Sequence, residues 1–75
     1  MNRETIDEIE FAVACVNEFA KKHGMTNADA LRYLDLHKGV DYIVDGYETV
    51  RCQPMDLTLE DITNVCRRNG GVAAP

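Results

Sequence analysis

The stretch Val40-Asp41-Tyr42-Ile43-Val44-Asp45-Gly46-Tyr47-Glu48-Thr49-Val50-Arg51-Cys52-Gln53 decides the fold, because its residues admit two structures. Asp45-Gly46 lies between the β-formers Tyr42-Ile43-Val44 and Tyr47-Glu48-Thr49-Val50. An Asp-Gly pair there is a hairpin signal, since a two-residue type I′ turn needs positive φ at both central positions. Yet Val40, Ile43, Tyr47 and Val50 also fall at helical spacing, which gives two short helical turns hinged at Gly46. On residue chemistry alone the two readings are even.

The flanks are less ambiguous. Upstream, Thr5 with Glu8 has the capping-box spacing, and Glu4, Asp7, Glu8 and Glu10 suit the positive end of a helix dipole. Ile6, Ile9, Ala12, Val13, Cys15, Val16, Phe19 and Ala20 fill half of the helical wheel, so that half is expected to be buried. Lys21, Lys22 and His23 complement the negative end, and Gly24 supplies a left-handed stop. The pattern predicts a helix over residues 5–23, a rod of about 28 Å. Thr26 with Asp29 repeats the cap, with Met25 placed to staple onto Ala30. This second helix turns Ala30, Leu31, Tyr33 and Leu34 inward and ends at Lys38-Gly39, near His37. Downstream, Thr58 with Asp61 gives a third cap and Leu57 with Ile62 a staple, for a helix running to about Arg68 with Leu59, Ile62, Val65 and Cys66 on one face. Asn69-Gly70-Gly71 ends it, so residues 1–69 read as one domain and 70–75 as a loose tail.

Seventy-five residues enclose one core only, and a core this small gains from association. With 45% hydrophobic and 28% charged residues the composition is that of a folding chain. The longest apolar run, Phe11 to Val16, is far short of the roughly 20 residues of a membrane span. The chain opens Met1-Asn2-Arg3-Glu4 without a secretory leader, so a cytoplasmic location is expected. Three cysteines, Cys15, Cys52 and Cys66, are then expected to be free, with Cys15 and Cys66 buried. A net charge of −5 disfavours nucleic acid, whose phosphates are held by clustered Lys and Arg, and points to protein partners.

The candidate chemistry is thin. His23, His37, Cys52 and Cys66 have no metal-ligand spacing, so no metal or cofactor is expected. Nucleophilic catalysis would need a thiol beside a base; there is no serine, and only Cys52, next to Arg51, reads as exposed. The acidic groups Asp7-Glu8-Glu10 and Glu60-Asp61 are assigned to the first turns of helices, where the dipole accounts for them. Residues 20–33 have the outline of a helix-turn-helix, but the would-be recognition helix carries Asp29 beside a single Arg32. Phe11 alone falls outside the apolar arc, close to Glu18 and Lys22. Either the second helix or the 40–53 segment folds over it, or it is a contact for a partner.

The order of residues resembles a small bacterial domain family of unknown function, DUF3791. The resemblance spans about Ile9 to Gly70. It rests on Glu10-Phe11, Val13, Cys15-Val16, Tyr42-Ile43, Tyr47-Glu48 with Val50 and Gln53, and Glu60-Asp61 before Ile62. The family tends to have a proline just before the tyrosine matched by Tyr47, and proline opens a helix better than it sits in such a hairpin. The resemblance therefore moves residues 40–53 toward short helices. A His-Thr pair of the family is replaced here by Arg51-Cys52, so no role of that histidine passes to Arg51. Family members are often encoded beside proteins resembling ADP-ribosyltransferases, which by analogy implies a toxin-neutralising or regulatory binding role.

The expectation is an all-α bundle of three main helices plus short helical turns around residues 40–53. It is expected to bind a protein partner or a second copy of itself rather than to catalyse. Phe11 is the candidate contact, and a small helix-turn-helix regulator of nucleic acid is the alternative.

Overall fold

A computed structural model describes residues 3–71, with side chains from residue 6 onward. Five helices follow one another: α1 (Arg3–His23), α2 (Asn27–Leu36), α3 (Gly39–Asp45), α4 (Tyr47–Val50) and α5 (Met55–Arg68). No strand occurs among the described residues. The all-α expectation holds, with α1, α2 and α5 as the main helices and α3 and α4 as the short pieces.

The decisive stretch is helical because its apolar residues pay off at a period near 3.6. Ile43, Tyr47 and Val50 are all buried, whereas a hairpin's alternation would have put Val44 inside in place of Ile43. Gly46 is the joint between α3 and α4. Its N–H donates to the Tyr42 carbonyl at 3.0 Å, and its own carbonyl accepts from Val50 N–H at 2.8 Å. Its φ of −99° is not the positive value that a type I′ turn requires, so the Asp45-Gly46 hairpin signal is overruled.

The other boundaries show which caps operate. Thr26 is an extended N-cap whose side chain accepts from Asp29 N–H at 3.1 Å, as its spacing predicts. Gly24, at φ +65°, ends α1 in the left-handed region as expected. Two expectations need correction. Helix α1 begins at Arg3, so Thr5 lies within it and not at its cap. Helix α5 begins at Met55 after Pro54, leaving Thr58 a full turn inside; Thr58 is buried and donates to Gln53 Oε1 at 3.4 Å. Leu57, expected to staple onto Ile62, is 44% exposed, whereas Ile62 is buried. The Thr-x-x-Asp pattern recurs by chance inside a helix, whereas Pro54 has no N–H to give a preceding turn and fixes where α5 starts. Helix α2 ends at Leu36 with His37 as its cap, near where it was expected to stop, and Lys38 takes the left-handed conformation after it, at φ +72°. Gly39 instead opens α3 at a close approach, where a β-carbon would stand 2.8 Å from Leu34 Cδ2 and 3.0 Å from Cys66 Sγ.

One large side chain from each of four helices forms the centre of the core: Phe19, Leu34, Ile43 and Ile62, all essentially inaccessible. Tyr42 pins α3 to α5 by donating its hydroxyl to Asp61 Oδ2 at 3.2 Å. At the far end, His37 Nδ1 donates to the Asn69 carbonyl at 3.1 Å, and the Gly71 N–H closes α5 on the Cys66 carbonyl at 2.9 Å. Gly70 and Gly71, assigned to the tail by the sequence reading, thus form the end of this turn. The rest of that tail, residues 72–75, lies outside the described residues.

Candidate functional site

The core takes up only part of the apolar surface that α1 presents. Cys15, Val16, Phe19 and Ala20 are buried, but Ile6, Ile9 and Val13 remain 42%, 48% and 52% exposed. The expectation that one whole half of this helix is buried is therefore met in its C-terminal half and not in its N-terminal half. The reason is length. α1 has 21 residues against 10 in α2 and 7 in α3, and these shorter helices cannot cover it to its end.

Ile9 and Val13 belong to an open groove of about 330 Å³. One wall is α1, through Ile9, Ala12, Val13 and Val16; these recur every three to four residues and so form a single stripe. The opposite wall is α2, through Ala28 and Leu31. The floor is α3, through Val40 and Ile43. Only the amides of Asn17 and Asn27 interrupt the apolar lining. Leu31 was expected inside; it is 51% exposed because α2 turns Ala30 and Leu34 to the core, and Leu31 lies beside that face. Val44, one turn after Val40, is likewise 44% exposed. Apolar side chains half open to water on three adjacent helices are a feature of interaction surfaces.

Phe11 is met by the 40–53 segment through Tyr47. It is half-buried, and the ring of Tyr47 meets it edge-on at 5.6 Å and 67°. The Arg51 guanidinium covers the Tyr47 ring at 5.3 Å. Phe11 is therefore on the side of α1 that faces α4, and it does not line the groove. Sequence reasoning missed the groove itself. The available signal was the width of the α1 stripe from Ile6 to Ala20, more apolar surface than two short neighbours could cover.

The titratable candidates are placed apart. His23 leans on Phe19 at 4.3 Å, with its Nε2 buried and without a hydrogen-bond partner among the described residues. Burial and the neighbouring Lys22 both lower its pKa. Burial pushes the Cys15 thiol up to about 11 and raises that of Cys66 as well, so both are held as neutral thiols. Cys52 is exposed, its thiol 3.6 Å from the Glu48 carbonyl. Glu60 and Asp61 are not first-turn residues, because α5 starts at Met55; Asp61 serves as the acceptor for Tyr42. Among the described residues no three His, Cys, Asp or Glu side chains converge as metal ligands, and no helix is long and apolar enough to cross a membrane.

The family model described as "Protein of unknown function (DUF3791)" matches residues 10–69, and the chain belongs to that family. No curated protein and no solved structure matches it. The matched range contains most of the groove, from Ala12 on α1 to Ile43 on α3.

Proposed function

We propose that this member of the DUF3791 family is a protein-interaction module that acts by docking rather than by chemistry. The observation that carries the reading is the apolar groove between α1, α2 and α3, kept open to solvent by a chain whose core is otherwise closed. Apolar surface of this kind is favourable to cover, at roughly 25 cal/mol per Å² removed from water. The buried, neutral thiols of Cys15 and Cys66 and the scattered histidines offer no poised nucleophile or base, which supports binding over catalysis. The partner suggested by the family resemblance is an ADP-ribosyltransferase-like protein encoded nearby, which this chain would neutralise or regulate.

A nucleic-acid role has weaker support. The exposed face of α2 carries Asp29 and Asp35, and its one arginine, Arg32, is paired with Asp29 at 3.4 Å. Such a face has little net attraction for phosphate. The test is co-expression with the product of each adjacent gene, followed by size-exclusion chromatography. A stable complex supports the module. Failure to form any complex, with a chain that also remains monomeric at high concentration, overturns it.

A further inference from the structure

The groove's surroundings bear on what it accepts. Resting on the reading of the chain as an interaction module, we infer that the groove receives an amphipathic helix of a different polypeptide, with an apolar stripe flanked by Lys or Arg.

Three observations lead to this occupant. First, the lining is side-chain surface from three helices, and no strand occurs among the described residues, so there is no sheet edge for an extended peptide to join. A helix laid between helical walls, by contrast, sets its own ridges into their grooves. Second, the lining is apolar apart from Asn17 and Asn27, which lacks the convergent polar groups that orient a small polar ligand. Third, the margins are acidic. Helical spacing puts Glu10 one turn before Val13, and Asp35 one turn after Leu31. Neither makes an ion pair among the described residues. The nearby cations are already engaged, Arg32 with Asp29 at 3.4 Å and Lys38 with Asp41 at 3.9 Å. From Ile6 to Asn17, α1 has Asp7, Glu8 and Glu10 and no Lys, Arg or His.

The same charges disfavour a second copy. Two such faces brought together would set acidic margin against acidic margin, where like charges raise the energy of the complex. A partner with basic flanks meets the opposite situation: its apolar stripe fills the groove while its cations reach Glu10 and Asp35.

The test uses the full chain and two synthetic helical peptides of about 18 residues. Both carry leucines at helical spacing; one has lysines on its flanks and its twin has glutamates. By fluorescence anisotropy the lysine peptide should bind at least about tenfold more tightly than the glutamate peptide, with the gap narrowing as salt is added. Val13→Gln and Leu31→Gln, each checked for an unchanged helical spectrum, should weaken the lysine peptide about tenfold. The double variant Glu10→Lys, Asp35→Lys should shift the preference toward glutamate. In the unaltered chain, NMR shifts on adding peptide should be confined to α1, α2 and α3, a readout that does not depend on any variant folding. Equal binding of the twins, binding indifferent to Val13→Gln and Leu31→Gln, no binding, or a dimer of this chain broken by Val13→Gln each overturns the inference. A neighbour complex that persists in Val13→Gln leaves the module standing and removes the groove as its site.

Discussion

The two halves of α1 are equally apolar in sequence and differ in what they face. In the C-terminal half, Cys15, Phe19 and Ala20 are sealed by α2, α3 and α5; in the N-terminal half, Ile9 and Val13 on the same helix look into an open groove. Periodicity reports that a stripe is meant to be covered, and it does not report by which chain. In a domain this small the distinction matters, because a stripe longer than its neighbours becomes surface for something else.

The largest effects should separate the halves most sharply. Phe19→Ala should cost about 3–5 kcal/mol, comparable with the whole stability expected of a 75-residue domain, and leave the chain largely unfolded at room temperature. Val13→Ala, on the groove side, should cost under about 1 kcal/mol. Urea unfolding followed by circular dichroism measures both, and equal losses would mean that the groove is core. Next, Gly39→Ala should cost about 1–3 kcal/mol, because the added methyl runs into Leu34 and Cys66, where the core has no room to yield.

Thiol labelling probes the same contrast without mutation. Cys52 should react first, while Cys15, whose thiol is held up to about 11, and Cys66 should wait for unfolding. Prompt labelling of Cys15 in the folded chain would show that the sealed half of α1 opens readily. The smallest effect is that of pH on His23. Its pKa is lowered in the fold, so the unfolded chain binds more protons between the folded value and the unfolded value of about 6.5. The stability contributed by neutral His23 is thus present above about pH 6.5 and lost as pH falls through the folded value. Urea midpoints measured downward from pH 8 should fall less steeply in His23→Gln than in the unaltered chain.

What the sequence made legible follows from how local each cause is. The Thr26 cap, the Gly24 stop and the helical character of α1, α2 and α5 depend on residues within a few positions of one another, and the structure agrees with them. The start of α5 did not read correctly, because Thr58 satisfies a capping pattern while its hydroxyl is directed to Gln53, outside the helix. Residues 40–53 were undecidable alone because Tyr42-Ile43-Val44 and Tyr47-Glu48-Thr49-Val50 are β-formers by type while Ile43, Tyr47 and Val50 fall at helical spacing, and only their burial against the rest of the fold decides between the two. The groove is the least local feature. It depends on α2 and α3 being too short to cover Ile9 and Val13, a comparison of lengths across the fold.

One further consequence belongs to the time domain. α1 is a single unbroken rod with unequal support along it, so its backbone amides should exchange with deuterium on two schedules. The turns around Phe19 exchange only when the entire fold opens, and the turns around Ile9 exchange each time that end of the rod unwinds. An occupant of the groove would clamp the second set and bring it onto the schedule of the first. The length of slow-exchanging α1 would then read out occupancy directly, making the rod its own gauge.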